Sequence, residues 1–82
     1  MIDEALRNPA QRVVGTKQAL RAMKDGKAKL VYLCKDADEF IYRQVEQAAD
    51  ASATPLQVID SMQELGKHCL IGVKTATAVV LK

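Results

Sequence analysis

The sequence predicts an α/β fold, a three-layer α/β/α sandwich around a small, mixed central sheet. Short apolar segments of strand length alternate along the chain with longer segments whose apolar residues recur at helical spacing. With 82 residues and 49% hydrophobic content, the chain can form one packed domain, which we place at residues 1–82. Helices that alternate with strands in this way cover both faces of a sheet, which gives three layers.

The first half of the chain predicts a strand, a helix and a second strand. A short β-branched pair ends at Gly15 and indicates the first strand. Residues 17–25 have helical periodicity; Thr16 is predicted to cap the first turn, and Gly26 fits the position just after the last one. Residues 29–34 form a dense apolar run, which is typical of an inner strand covered on both faces.

The second half predicts two more helices and two more strands. Residues 36–52 form an amphipathic helix that ends before a Thr-Pro pair. Residues 56–59 are a strand of apolar character. Residues 61–69 open with the Ser-x-x-Glu order of a capping box and predict the third helix. After a glycine, residues 76–81 predict the last strand.

The composition disfavours membrane and disulfide-rich classes of protein. No apolar segment approaches the ~20 residues that span a bilayer, and the acidic start of the chain differs from a secretory signal. Two cysteines, Cys34 and Cys69, are too few for a disulfide framework and lie in apolar contexts. We therefore expect reduced, buried thiols in a cytoplasmic protein that has no membrane partner.

The net charge of +2 is distributed unevenly. Residues 1–35 contain eight basic and three acidic residues, a net charge of +5. Residues 36–82 contain four basic and seven acidic residues, a net charge of −3. Such a dipolar layout presents a basic end to a polyanion. An ordinary solvated face explains the charge pattern equally well.

The sequence contains no recognisable catalytic or metal-binding pattern. His68 and Cys69 are adjacent, and adjacent helix positions do not face each other. The segment after Gly15 lacks the glycine spacing of a phosphate-binding loop, and Cys34 adds no metal-ligand spacing. We interpret the carboxylates at residues 36–39 as a solvated helix start. The expectation is no enzyme activity, no metal and no cofactor.

The segment from Gly15 to Arg21 is the strongest candidate binding site. A glycine permits close approach of another backbone, and residues 16–18 occupy a helix N-terminus, whose free N–H groups attract phosphate. The basic residues of this helix recur at i, i+4 and i+7: Lys17, Arg21 and Lys24. This arrangement suits a nucleic-acid groove, with a solvated basic helix as the alternative.

A turn before the last strand is the second candidate. It consists of Ile71, Gly72, Val73, Lys74 and Thr75. Exposed apolar residues on a loop with one lysine can pack on an unstacked base or a ribose. The alternative, and the more frequent case, is that such residues tuck beneath the loop.

Three segments carry a resemblance to a known family. They are Val14-Gly15-Thr16-Lys17-Gln18, the run from Lys27 to Asp38, and residues 61–69. In this order and at these separations they resemble the L-seven-Ae superfamily, most closely its small bacterial, YbxF-like branch of ribosomal L-seven-Ae-like proteins. The resemblance covers nearly the whole chain. It implies a kink-turn ligand, which is a helix–bulge–helix RNA bent at tandem sheared G·A pairs, and neither catalysis nor a cofactor.

The resemblance also implies which residues bind RNA. In the family, the helix start after the Gly-Thr pair enters the groove at the G·A pairs, and the loop before the last strand packs on bulged nucleotides. Asp38 and Tyr42 align with positions that line a pocket for a flipped-out base in some members. The expected RNA-binding residues are Gly15, Thr16, Lys17, Gln18, Arg21, Lys24, Lys35, Asp38, Tyr42, Ile71, Gly72, Val73, Lys74 and Thr75.

Two departures from the family pattern affect recognition. Lys17-Gln18 stands where many members have Asn-Glu, and an amide offers an acceptor and a donor where a carboxylate only accepts. Lys74 and Thr75 make the loop more polar than its common alanine-rich form. These changes predict weaker or more tolerant RNA recognition.

The function that we expect is non-catalytic binding of structured RNA by a monomer, with ribosomal RNA or a riboswitch as the ligand and the ribosome as a further partner. The major groove of ordinary A-form RNA is too narrow for side chains. The protein would therefore select the kinked conformer and stabilise it. The alternative function is a ribosome-associated protein-interaction module whose basic face is incidental.

Overall fold

The computed structural model describes residues 2–82, within which helices and strands alternate as the sequence predicts. In chain order the elements are a 3₁₀ helix (Glu4–Arg7), β1 (Arg12–Val14), α1 (Thr16–Lys24), β2 (Ala28–Cys34), α2 (Glu39–Ala51), β3 (Leu56–Ile59), α3 (Met62–His68) and β4 (Thr77–Leu81). None of the helices found in residues 2–82 has the length and apolar character needed to cross a membrane.

The four strands form one mixed sheet in the order β1-β4-β2-β3. Strand β4 runs antiparallel to both of its neighbours, β1 and β2, whereas β2 and β3 are parallel. It follows that β1, β2 and β3 all point in one direction. Their carboxyl ends meet at the edge of the sheet where β4 begins.

Helices cover both faces of the sheet, which confirms the predicted α/β/α sandwich. On one face, α1 and α2 pack against Val31 and Leu33 of β2. On the other face, α3 and the 3₁₀ helix pack against Tyr32 and Cys34. Alternate residues of β2 therefore enter two separate apolar clusters, as expected for an inner strand.

Two predicted helix starts are wrong by a few residues. Thr16 does not cap α1, because Gly15 occupies the N-cap position and Thr16 is the first helical residue. The second helix begins at Glu39, since the carboxylate of Asp38 accepts from the backbone N–H of Phe40 at 2.9 Å and so sets the helix start. The capping serine of α3 was predicted correctly.

The 3₁₀ helix was not predicted, and neither were the contacts that Arg12 makes with it. Leu6 is fully buried in the cluster beneath α3. The guanidinium of Arg12 donates to the carbonyl oxygen of Leu6 at 3.1 Å and to that of Cys69 at 3.2 Å. Arg12 therefore joins the 3₁₀ helix to the end of α3.

Both cysteines are free and fully buried, as the sequence predicts. Burial, followed by the charge of Asp36, raises the pKa of the Cys34 thiol to about 12. Burial also raises the pKa of Cys69, although the positive charge of Arg12 opposes this shift. The sulfur of Cys34 lies 3.4 Å from the carbonyl oxygen of Thr75, so its thiol can donate to the segment before β4.

We expect both thiols to react slowly with an alkylating reagent at pH 8 in the native protein and quickly after denaturation, because the thiolate is the reactive species. An unfolded thiol ionises near pH 9.0 and folded Cys34 near 12. The contribution of this pKa difference to stability is therefore complete below pH 9 and declines as the pH rises toward 12. Rapid modification of both cysteines in the native protein would contradict their burial.

Candidate functional site

Most of the predicted site residues lie near the edge of the sheet where β1, β2 and β3 end, whereas Arg21 and Lys24 lie further along α1, toward the opposite edge. The backbone N–H of Gly15 donates to the carbonyl oxygen of Thr77 at 3.0 Å. The N–H of Lys35 donates to the carbonyl oxygen of Ile59 at 2.8 Å. These bonds extend the sheet by one residue and make the connecting segments neighbours. We call this region, formed by residues 15–18, 35–38, 60–61 and 70–76, the loop edge.

The start of α1 is open at the loop edge. Gly15 has a φ of 103°, a left-handed conformation that favours glycine, and it provides no capping side chain. By contrast, Asp38 and Ser61 cap the starts of α2 and α3 with side-chain oxygens. The amides of the first turn of α1 are therefore available to an acceptor from outside the chain.

The basic row on α1 is exposed as predicted. Its members, Lys17, Arg21 and Lys24, are exposed, whereas Ala19, Ala22 and Met23 are buried beneath the helix. Gln18 is also exposed, beside Lys17 in the first turn. Within residues 2–82 none of the three cations forms an ion pair. Their charges are thus free to attract an anionic ligand.

In the loop at residues 71–75, some side chains are exposed and others tuck beneath the loop, so both arrangements that the sequence allowed are present. Val73 is 67% exposed and Lys74 is exposed beside it. Ile71 is half-buried and packs against the cluster beneath α3. Thr75 is only 9% exposed, and its hydroxyl donates to the carbonyl oxygen of Thr77 at 3.0 Å. The outward surface of the loop is therefore formed by Val73 and Lys74, with Ile71 and Thr75 supporting it.

Helix α3 supports the loop from beneath, and Gly66 makes this packing possible. A Cβ atom at Gly66 would overlap the carbonyl oxygen of Val73. The N–H of Ile71 donates to Gly66 at 3.3 Å, and that of Thr75 donates to Met62 at 3.2 Å. The sequence reasoning missed this role of Gly66. A glycine inside a predicted helix was the available signal, since such a residue often marks close packing.

One carbonyl group connects the start of α1 to the loop at residues 71–75. The carbonyl oxygen of Thr77 accepts from the N–H of Gly15, at the start of α1, and from the hydroxyl of Thr75, in the loop. The hydroxyl of Thr77 in turn donates to the buried carbonyl of Tyr32 at 2.6 Å. This network fixes the separation between the open helix start and the exposed loop.

The remaining predicted residues lie at the start of α2. Lys35 and Tyr42 line a depression of about 350 Å³. The ammonium of Lys35 is 3.6 Å from the carboxylate of Asp60, an exposed pair of little energetic weight. The carboxylate of Asp38 caps α2, and Asp38 is not among the residues that line this depression.

His68 lies near a carboxylate of its own helix. The imidazole of His68 is 3.9 Å from the carboxylate of Glu64, one turn earlier in α3. In the part of the chain that the structure describes, residues 2–82, no three His, Cys, Asp or Glu side chains converge as ligands. The chemistry that the loop edge offers is therefore hydrogen bonding, charge attraction and apolar contact.

Comparison with known proteins identifies similar chains. The family model described as "Ribosomal protein L7Ae/L30e/S12e/Gadd45 family" matches residues 2–82. An "RNA-binding protein" of Geobacillus thermodenitrificans is 44% identical over 70 residues, which are 85% of each chain. "RNA-binding protein YbxF" of Geobacillus stearothermophilus is 43% identical over the same share of both chains. The solved structure of "Giardia lamblia 15.5kD RNA binding protein" has a TM-score of 0.87 and 29% identity, and the match covers 96% of this chain and 67% of that one.

Replacing Thr75 with Val should loosen the connection through Thr77, because valine keeps the shape of the side chain and lacks its hydroxyl. We expect the free energy of unfolding to fall by about 1 kcal/mol. Amide hydrogen exchange, measured by NMR, should accelerate at Gly15 and at residues 71–75. The control is Thr75→Ser, which retains the donor and should exchange more slowly than the valine variant. Equal exchange at Gly15 in both variants would show that the hydroxyl does not couple the two segments.

Proposed function

The chain belongs to the ribosomal protein L7Ae/L30e/S12e/Gadd45 family, and from this premise we propose that it is a non-catalytic RNA-binding protein that recognises and stabilises kink-turns in structured RNA. The observation that carries this proposal is the fixed arrangement, at one edge of the sheet, of an open helix start and an exposed apolar loop. In this proposal residues 1–82 act as one cytoplasmic, monomeric RNA-binding domain. Ribosomal RNA or a riboswitch supplies the kink-turn.

The start of α1 reads the distorted groove. A helix end reaches base edges only where the RNA groove is already open, because the A-form major groove is too deep and narrow. Gln18 offers an acceptor and donors to the G·A pairs, and Lys17 adds a charged donor beside it. The free amides of the first turn donate to phosphate oxygens. Arg21 and Lys24 then hold the backbone further along the helix.

The loop covers the bulged nucleotides. Val73 offers apolar surface to an unstacked base or a ribose, and Lys74 offers a cation to the adjoining phosphate. Ile71 and Thr75 contribute by holding the loop on α3. The depression between Lys35 and Tyr42 lies at the same edge of the sheet and takes a flipped-out base.

Preference for the kinked RNA follows from the fixed separation of these two contact regions. A ligand shifts a conformational equilibrium only by the difference in its affinity for the two conformers. Because Thr77 bonds to both Gly15 and Thr75, the helix start and the loop do not adjust independently to the RNA. Extended RNA can then engage one contact region, whereas kinked RNA engages both.

A protein-interaction module is the second candidate function. Phe40 favours it, because this large apolar side chain is 72% exposed in the first turn of α2. The two functions can be separated by examining the protein purified at low salt. Copurified nucleic acid, detected by an elevated absorbance ratio, supports RNA binding, whereas a nucleic-acid-free protein that retains a protein partner supports the module.

A duplex with a three-nucleotide bulge and tandem G·A pairs should bind more tightly than the same RNA with Watson–Crick pairs at those positions. Gln18→Ala should reduce this difference by about 5- to 150-fold, because one bidentate base contact contributes ~1–3 kcal/mol. Fluorophores on the two RNA arms should also approach each other when protein is added. The control, Gln47→Ala, removes an exposed amide from α2. Equal binding of both RNAs without approach of the arms would overturn the kink-turn proposal.

Binding should weaken with salt at a slope of roughly −2 to −4 in log K against log salt, as expected for ~3–5 phosphate contacts. Arg21→Ala should flatten this slope by about one contact and leave the fold unchanged, since its side chain is exposed. Arg7→Ala is the control, because it removes an equal charge from the 3₁₀ helix on the other face of the sheet. An unchanged slope in Arg21→Ala would remove α1 from the binding surface.

A further inference from the structure

The loop edge contains three lysines and three aspartates, so its side chains carry no net charge. Its lysines are Lys17, Lys35 and Lys74, and its carboxylates are Asp36, Asp38 and Asp60. Of these, Lys35 and Asp60 are in direct contact. Most of the +5 charge of residues 1–35 must therefore act elsewhere on the molecule.

The positive charge is concentrated at the opposite edge of the sheet, where α1 ends and β2 begins. We call residues 24–29 the basic edge. Its lysines, Lys24, Lys27 and Lys29, are all exposed, and Asp25 is the one acidic residue among them. Within residues 2–82 neither these lysines nor Asp25 form an ion pair. The basic edge thus has a net positive charge that no carboxylate neutralises through contact.

The backbone of the basic edge is held in place by hydrogen bonds. The N–H of Lys27 donates to the carbonyl oxygen of Ala22 at 2.9 Å, and the carbonyl of Lys27 accepts from Lys82 at 2.9 Å. A bulge between β2 and β4 lies at residues 28–30, which leaves Lys29 out of the regular pairing. These lysines therefore project from fixed positions and not from a loose loop.

A row of cations connects the basic edge to the loop edge. Helix α1 has nine residues and is about 13 Å long, and Arg21 and Lys24 lie along it between Lys17 and Lys27. Strand β2 separates the two edges by about 20 Å over its seven residues. A regular line of phosphates, such as the backbone of a double-stranded stem, matches a row of this kind.

We propose that the lysines of the basic edge bind the phosphate backbone of an RNA stem that continues beyond the kink. This inference rests on the proposed function and adds a second, sequence-independent contact surface to it. The stem leaves the loop edge, follows the exposed flank of α1 and reaches Lys27 and Lys29. Such contacts fix the direction of the stem and contribute affinity without reading bases.

The test compares a kink-turn RNA with minimal stems to two RNAs in which one stem or the other is lengthened by a full helical turn. One lengthened RNA should bind more tightly, with a salt slope about 2 units steeper, because each duplex phosphate contact adds about 0.9. Between 50 and 200 mM salt, its affinity should consequently fall about tenfold more than that of the minimal RNA. Lys27→Gln and Lys29→Gln should each remove about half of the added slope, and the double variant should remove all of it.

The minimal RNA and one further variant serve as controls. Binding of the minimal RNA should be unchanged in the double variant, and Arg7→Gln, which removes an equal charge from the 3₁₀ helix, should leave every RNA unaffected. The inference is overturned if neither extension changes the slope, or if the double variant weakens all three RNAs equally. A different result would contradict the proposed function itself. In that case the minimal kinked RNA and its Watson–Crick counterpart would bind with equal affinity.

Discussion

The position of β4 in the middle of the sheet is the constraint on which the rest of the structure depends. Strand β4 pairs with β1 on one side and β2 on the other, antiparallel to both. Residues 77–80 are almost completely buried, so this strand is also the centre of both apolar clusters. Because its neighbours run in the opposite direction, their ends meet at its beginning. This pairing brings together the open start of α1 and the loop that precedes β4, and the packing of the loop on α3 holds it there.

Buried polar side chains have hydrogen-bond partners, whereas the first backbone N–H groups of α1, at the loop edge, have no capping side chain. Within residues 2–82 every buried side-chain nitrogen or oxygen has a hydrogen-bond partner. Two helix starts are closed by Asp38 and Ser61, whereas α1 begins at Gly15 without a side-chain cap. With glycine as the N-cap residue, the loss of a side-chain cap costs only a few tenths of a kcal/mol of stability. Among residues 2–82, the one α-helix start without a side-chain cap is thus the one at the candidate site. Such a local loss of stability is expected where a group is kept free for a ligand.

The sequence predicts the elements well, and its errors have a common physical origin. Hydrophobic periodicity locates the three α-helices and the four strands because burial on one or two faces determines residue type, but it does not locate the short 3₁₀ helix. It does not reveal contacts between distant segments. The carboxylate of Asp36, which the sequence assigned to a solvated helix start, accepts from the N–H of Met62. The contact of Arg12 with the end of α3 was likewise not predicted. For the same reason the burial of Thr75 could not be foreseen, since its partner, the carbonyl of Thr77, depends on backbone geometry.

The charge distribution bears on how the proposed contacts to bases and to phosphates are divided over the surface. Contacts to phosphates position a nucleic acid but contain no sequence information, whereas contacts to base edges discriminate. Under the proposed function, a strongly positive loop edge would bind any RNA backbone and reduce the difference in affinity between kinked and extended conformers. Under that function, the carboxylates of Asp36, Asp38 and Asp60 at the loop edge lower the positive potential of the surface on which Gln18 and Val73 would contact the RNA. The flank of α1 and the basic edge would then supply the attraction at a distance, and affinity and selectivity would arise on different parts of one small surface.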